Sequence, residues 1–396
     1  MNKKESNSYS LKTIILIFVL ALILGILIGQ MFFKTTNVSS KKNDMTTVYD
    51  TLKSQYIKKI DDKKLNEAAI KGMIDFIKKE YKDDYTLYYD EKDTTSFTEL
   101  LTGKFYGTGA EIYKKEDNPV TISRVFKNSP AEKAGLKPGD QYIKINGEDV
   151  TDKKADEISK MIKGKVKKTY DLVIRRDGKE LKFTITTDIV DIPSVESKVL
   201  KKDDQKIGYI YIGIFASNTD EQFLEELNKL NKDKITKLII DLRYDSGGDL
   251  DSVINIASNF MKKSQVVVKI VDKDNVTDKL SVKDSKNKYD LAILVNGQSA
   301  SGSEVLASAL RDNSGAVLIG EKTYGKGSVQ RTKSLASGSM IKYTVQTWET
   351  SKNEQINKKG VKPDIEVKFD ENYFKTFKEE DDNQLQKALE VLADKN

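Results

Sequence analysis

The chain has 396 residues, 38% of them hydrophobic, enough to bury two or three cores. Lys and Arg number 67 against 61 Asp and Glu, and a net charge of +6 so dispersed does not argue for nucleic acid. Histidine and cysteine are both absent. That excludes a Ser-His-Asp triad, a Cys-His dyad, a His/Cys zinc site and any disulfide, and no cofactor is expected.

Residues 1–12 include Lys3, Lys4 and Lys12, and Thr13 to Phe33 follow without a single charge. At about 1.5 Å per residue this run spans about 31 Å, matching a bilayer core of about 30 Å. The positive-inside rule then puts residues 1–12 in the cytoplasm and everything after Lys34 outside. A cleaved signal peptide is the rival, but no small-x-small site follows Ile28. The expectation is an uncleaved, single-pass anchor over 13–33 in the cell membrane.

Residues 34–44 are polar and read as a linker. In residues 45–104, Val48, Leu52 and Tyr56 recur every four positions, and Leu65, Ala69, Met73 and Phe76 continue at helical spacing. This predicts a small helical region. Residues 105–188 read as β-rich with one or two short helices. Tyr106 to Ala110 precedes a strand at Glu111–Tyr113, followed by Val120–Val125, Tyr142–Ile145, a helical Asp156–Ile162, and strands near Asp171–Arg176 and Leu181–Thr186. The run Ala134-Gly135-Leu136-Lys137-Pro138-Gly139-Asp140, with Ile145-Asn146-Gly147 after it, resembles a PDZ domain. PDZ domains take an extended peptide as an added strand on an open sheet edge. The resemblance implies Gly107, Thr108, Gly109 and Ala110 as the loop whose N–H groups receive a C-terminal carboxylate. Glycines there also serve simply to make a turn.

Residues 189–370 alternate strands with helices. Ile207–Ile212 reads as a strand and Glu221–Leu230 as a helix. Leu238–Arg243 is an apolar strand ending at Tyr244-Asp245-Ser246-Gly247-Gly248, and Val253, Ile254, Ala257 and Met261 mark a helix. The Lys/Asp-rich Val271–Asp290 reads as a solvated loop or hairpin. Leu291–Val295 is short enough for a buried strand, Asn296–Gly302 is a small-residue turn, and Glu304–Arg311 is a helix. Ala316–Ile319 ends in a Gly- and Lys-containing loop, and Ser334–Gln346 adds further strand. In residues 371–396, Gln384–Leu392 forms an amphipathic helix.

Strand, turn and helix place Ser301 at a helix N-terminus. Free N–H groups and the helix dipole favour negative charge there, as a serine's oxyanion requires. Ser301 and Glu304 equally fit a capping box. Without histidine or cysteine, a nucleophilic serine needs a lysine or a carboxylate as base. Lys326 lies between two glycines, which bring the backbone close; a solvated loop lysine is the plainer alternative.

Ser299-Ala300-Ser301-Gly302-Ser303-Glu304 and Gly325-Lys326-Gly327-Ser328-Val329-Gln330 resemble the active-site region of the C-terminal processing (tail-specific) peptidases, PDZ-bearing serine proteases that use a Ser-Lys dyad. The resemblance implies Ser301 as nucleophile, Lys326 as general base and Gln330 as the residue that orients the lysine. Gly302 stands where the family usually has alanine, and its N–H is an oxyanion donor by the same resemblance. Relatives carry Asp-Leu-Arg-x-Asn-Pro-Gly-Gly where this chain has Asp245-Ser246 before the glycines; Gly247 is the second implied donor, with Gly248 as the alternative. Asp84-Tyr85-Thr86-Leu87-Tyr88 and Gly360-Val361-Lys362-Pro363-Asp364 match further family elements, the first lacking the family's proline. Asp312 aligns with an acidic position that matters in some relatives; a charge at a helix C-terminus explains it as well. Arg176 aligns with an arginine that couples PDZ domain to protease and so is a regulatory candidate, with a turn-flanking charge as the equal alternative. In the family the N-terminal helical segment takes part in dimer formation, so a homodimer is among the partners admitted.

The implied fold is a multidomain α+β chain: a transmembrane helix, a helical segment, a β-rich PDZ domain and a mixed β/α core of the crotonase/Clp type. The implied function is a membrane-anchored serine endopeptidase that cleaves protein substrates near or from their C-terminal tails. The alternative is a catalytically inactive PDZ scaffold that binds peptides.

Overall fold

The computed structural model describes Gly25 and residues 44–164, 166–285 and 289–394. Apart from Gly25, the run expected to anchor the chain at 13–33 and the linker through residue 43 lie outside the described residues. Among the described residues no helix is long and apolar enough to cross a membrane.

The chain divides into two compact units, residues 1–76 and 77–396. The first holds α1 (Asp44–Gln55) and most of α2 (Asp62–Tyr81), the helices that the four-residue spacing predicts. Tyr49 Oη donates to the Asp62 carboxylate at 2.7 Å, and Lys53 pairs with the same group at 2.9 Å. Val48, Tyr56 and Met73 on the apolar stripes stay exposed.

The second unit opens with β1 (Leu87–Tyr89) and α3 (Glu91–Thr102). Asp90 caps α3 by accepting from the Asp93 N–H, and Gly103 ends it in the left-handed region at φ 66°. The β-rich part contains β2 (Lys104–Gly107), β3 (Ala110–Tyr113), β4 (Thr121–Val125), α4 (Pro130–Ala134) and β5 (Gln141–Ile145). It continues through β6 (Glu148–Asp149), α5 (Ala155–Ile162), β7 (Thr169–Arg176), β8 (Lys179–Thr186) and β9 (Asp188–Asp191). Strands β3, β4, β5, β7 and β8 form one sheet in that order, while β2 pairs only with β9. Gly107 and Ala110, the two ends of the expected loop, are strand: β9 returns to pair with Gly107 and β4 pairs with Ala110. The alternation Tyr170, Leu172, Ile174 turns one face of β7 into the core, against Ile122, Ile145 and Ile158.

The remaining chain carries β10 (Val195–Lys202), β11 (Gln205–Ile212), α6 (Thr219–Lys232), β12 (Lys237–Asp241), α7 (Leu250–Ala257), β13 (Val266–Val271), β14 (Val276–Leu280) and β15 (Asp290–Val295). After these come α8 (Gly302–Ser314), β16 (Val317–Gly320), β17 (Ser328–Ser334), β18 (Met340–Glu349), β19 (Ile365–Glu366), α9 (Tyr373–Thr376) and α10 (Asn383–Ala393). The central sheet runs β10-β11-β12-β15-β16-β19, parallel except for the β10–β11 pair. Its middle strands have apolar interiors, Leu238–Ile240 and Leu291–Val295, because both faces are covered. Leu238, Ile240, Leu291 and Ile293 face α6, α7 and α8. Ile239, Ala292 and Leu294 face Leu385, Ala388 and Leu389 of α10. Each fully buried Leu or Ile in such a layer contributes about 1.5–3 kcal/mol.

A second sheet joins β1, β18, β13 and β14, with β17 also on β18. The Lys/Asp-rich stretch resolves as the hairpin β13–β14, with every β14 side chain exposed. The further strand expected over Ser334–Gln346 begins only at Met340: a turn precedes it, in which the Leu335 N–H donates to the Ser339 carbonyl at 2.9 Å.

Candidate active site

Ser301 occupies the N-cap of α8 with φ 53° and ψ −112°, a region that non-glycine residues rarely enter. Two elements hold it there. The carbonyl of Asp245, in the loop after β12, accepts the Ala300 N–H at 3.0 Å and the Ser303 hydroxyl at 2.9 Å. Behind it, the Ser299 hydroxyl donates to the Leu242 carbonyl at 2.8 Å. The turn carrying Ser301 thus hangs from the end of the neighbouring strand.

Glu304 is fully buried, and it does more than close the capping box. Its Oε2 accepts from the Ser301 N–H at 2.8 Å and from the Lys326 N–H at 2.9 Å. Its Oε1 accepts from the Thr323 hydroxyl at 2.5 Å and the Gly325 N–H at 2.7 Å. One carboxylate therefore joins the serine turn to the lysine loop. Burial pushes the Glu304 carboxyl above its ordinary value, opposed by these four donors.

The Lys326 carbonyl accepts from Trp348 Nε1 at 2.9 Å, which fixes the loop from the other side. Gly325 has φ 89°, and a Cβ there would come within 2.8 Å of the Gly360 nitrogen, so only glycine lets the loop pass. The Lys326 ammonium lies 4.9 Å from the centre of the Tyr85 ring. Burial first, and the Lys342 ammonium second, lower its pKa from the ordinary lysine value, while Glu304 opposes them. Ser301 and Lys326 line one cleft of about 590 Å³, together with Gly247, Gly248, Gly302 and Gln330.

The two oxyanion glycines behave differently. Gly247 donates its N–H to Asp245 Oδ1 at 2.8 Å, so that amide is already engaged. Among the described residues nothing accepts the amides of Gly248 or Gly302. Gly248 has φ 149°, and a Cβ on it would sit 1.9 Å from the Phe215 carbonyl oxygen. Of the two candidate donors in this turn, the Gly247 amide is engaged by Asp245, while that of Gly248, the alternative, is open. Gln330 donates to the Ser328 hydroxyl at 2.8 Å and Thr344 at 3.3 Å. Asp312 is eleven residues along α8 from Ser301, about 16 Å by helical rise; it binds Arg311, Lys352 and the Ser351 hydroxyl.

Sequence reasoning left out one whole wall. Phe97, Leu100 and Leu101 of α3 line the cleft, and the stretch between Tyr88 and Phe105 carries no clear apolar period. Its cap signals, Asp90 and Gly103, were the features that could have marked the helix. Tyr85 was read as part of a motif and not as a neighbour of Lys326. Asp83 positions it by accepting from the Tyr85 and Thr86 N–H groups, and Thr86 Oγ1 then accepts from the Thr344 N–H on β18.

In the β-rich domain, a second cleft of about 460 Å³ runs between β3 and α5, lined by Ala110, Ile112, Ala155 and Ser159 with Phe105 and Phe126. The carbonyls of Thr108 and Gly109 accept from Ala131 and Phe126, both at 2.8 Å, and of residues 107–110 Ala110 lines the cleft. Arg176 is held inside this domain: it grips the buried Asp140 carboxylate through Nε and Nη2, both at 2.6 Å, and donates to the Gly135 carbonyl at 2.8 Å.

Residues 206–367 match Peptidase family S41, residues 100–175 match the PDZ domain, and residues 30–94 match the activating protease CtpB N-terminal domain. A probable CtpA-like serine protease of Staphylococcus aureus (strain COL) is 36% identical over 392 residues, covering 96% of this chain and 77% of that protein. Among solved structures, a putative S41 protease from Bacteroides fragilis aligns at 18% identity with a TM-score of 0.50, covering 78% of this chain and 86% of the other. The photosystem II D1 C-terminal processing protease aligns at 27% identity with a TM-score of 0.44, covering 72% and 78%. With three matched segments in this order and a serine protease relative aligned along nearly its whole length, the chain belongs to the S41 family of C-terminal processing serine peptidases.

Proposed function

We propose that this serine peptidase uses Ser301 as nucleophile and Lys326 as general base. The observation that carries the reading is the Glu304 carboxylate, which binds the backbone N–H of both residues and so fixes one relative to the other. A free lysine, with a pKa of about 10.4, is a poor base near neutrality. Burial and the Lys342 charge move Lys326 in the direction catalysis needs. Neutral Lys326 takes the Ser301 hydroxyl proton as the oxygen bonds to the scissile carbonyl carbon. The Gly248 and Gly302 amides hold the resulting oxyanion. On collapse the C–N bond breaks and Lys326 returns the proton to the leaving amine. Water then attacks the acyl-enzyme as Lys326 accepts its proton; the C–Oγ bond breaks, Lys326 returns that proton to Ser301 Oγ, and the acid product leaves. Gln330 lines the same cleft and supports the lysine loop through Ser328.

The substrates are proteins cleaved near or from their C-terminal tails, the tail carboxylate seated on the amides of residues 107–110 of the PDZ domain. The apolar run at 13–33 anchors the chain, with the catalytic part on the extracytoplasmic side. The intact serine and lysine, together with the S41 family membership, argue against an inactive scaffold. Hydrolysis of an unfolded casein by the full-length chain provides the test. Ser301→Ala and Lys326→Ala should each reduce turnover to background, because the two work as a unit. A Lys326→Ala enzyme that keeps most of its turnover would remove the dyad from consideration.

A further inference from the structure

Asp245 is a buried carboxylic acid that the chemistry above does not use. Its side chain is fully shielded from solvent. Oδ1 accepts the Gly247 N–H at 2.8 Å, while Oδ2 has no hydrogen-bond partner. Its own carbonyl carries the Ser301 turn through Ala300 and Ser303. The turn that it holds is pressed against the nucleophile: a Cβ on Gly247 would lie 2.6 Å from the Gly302 nitrogen and 2.9 Å from Ser301 Cβ.

The charged groups around Asp245 do not neutralise it. Arg243, two residues earlier at the end of β12, is spent on Asp241 and Asp382. Glu304 on α8 is engaged with the lysine loop. Tyr211 on β11 is near enough for the Asp245 charge to help raise its phenol above the ordinary value, after burial and the charge of Asp241. An ionised Asp245 would thus be a bare, buried anion beside the oxyanion site.

We propose that Asp245 is a positioning residue that works in its protonated form, holding the Gly247–Gly248 turn for the oxyanion, and that losing this proton shuts cleavage down at alkaline pH. As a neutral acid it orients Gly247 without placing charge near the reacting carbonyl. As an anion it opposes the negative charge that develops between Gly248 and Gly302 in the transition state. Burial pushes the carboxyl up to about 8, against the Gly247 amide, which places the loss of activity within reach of measurement.

The inference rests on the assignment of Ser301 and the Gly248/Gly302 donors. The experiment measures kcat and KM of the full-length chain on unfolded casein from pH 6 to pH 10, for wild type, Asp245→Asn and Asp245→Ala, with urea unfolding from pH 4 to pH 10. Wild-type kcat should fall roughly tenfold above about pH 8, a barrier change of one pKa unit's worth of interaction. Asp245→Asn keeps an acceptor for Gly247 and cannot ionise, so its profile should have no alkaline limb. Asp245→Ala removes the acceptor as well; it should lower kcat more than it changes KM at every pH, again without the limb. The native state keeps a proton that the unfolded chain, with an aspartate pKa of about 3.9, has lost. Wild-type stability should therefore drop relative to Asp245→Asn from about pH 4 to about pH 8 and then level off. An alkaline limb that persists in both variants would overturn the proposal, as would a wild-type profile flat to pH 10. Failure of the neutral isostere Asp245→Asn to fold would overturn it too. None of these outcomes disturbs the Ser-Lys assignment, which Ser301→Ala and Lys326→Ala test separately.

Discussion

Glu304 shows how much a single residue can organise. Four donors converge on its two oxygens, two from the backbones of Ser301 and Lys326 and two from Thr323 and Gly325 in the loop leading to Lys326. A glutamine has the same shape but presents an NH2 where one oxygen was. Two of the four donors would then face another donor in a buried site. Glu304→Gln should lower kcat at least tenfold and destabilise the fold by about 2–4 kcal/mol, two unsatisfied pairs at about 1–3 kcal/mol each partly relaxed. Steady-state kinetics together with urea unfolding check both. A variant with wild-type kcat would mean that the carboxylate is only a helix cap. The capping half of this arrangement was legible in the sequence as Ser301-x-x-Glu304. Its reach to residues 323–326 was not, because the loop arrives from beyond another strand and only the fold brings it close.

Among the elements, legibility followed length and burial. Leu291–Val295 and Leu238–Ile240 were readable because strands covered on both faces run apolar, and α8 because its apolar residues recur at helical spacing. β1 and β19 have three and two residues and carry no period at all. β1 exists because β18 pairs with it from some 250 positions away, Leu87 opposite Lys342. α10 was legible as an amphipathic helix, but its anchor was not. Arg243, at the end of β12, donates to Asp241 on its own strand and to Asp382 and Gln384 at the start of α10, all buried. Removing the guanidinium leaves two carboxylates uncompensated in the interior. Arg243→Leu should cost about 3–5 kcal/mol, read as a shift of the urea midpoint. A loss below about 1 kcal/mol would show that the network is not what ties α10 to the sheet.

For the whole molecule, the question is how one domain informs another. Between the PDZ domain and the catalytic core lie the exposed ion pairs Arg124–Glu196 at 2.8 Å and Lys127–Glu225 at 2.6 Å, while at the domain's edges Asn218 donates to the Gly103 carbonyl at 3.2 Å and to Asp191 at 2.9 Å. Exposed pairs contribute about 0–1 kcal/mol each, so the two ion pairs add little to this contact. A tail peptide changes activity only if it binds the active arrangement better than the resting one. A peptide with apolar terminal residues and a free carboxylate should stimulate cleavage of a second substrate, and amidating its C-terminus should weaken both binding and stimulation. Equal stimulation by the two forms would sink tail sensing and leave the peptidase assignment standing.

The backbone at Ser301 also sets a direction for the protein's descent. With φ at 53°, the nucleophile sits where glycine would rest at ease and serine does not, a strain worth about 1–3 kcal/mol. In a lineage that no longer needed to cut, a glycine at this position would be rewarded with a sturdier fold. The serine endures only while selection for cleavage outweighs that pull, and the first inactive descendants of such a chain would be expected to be its most stable ones.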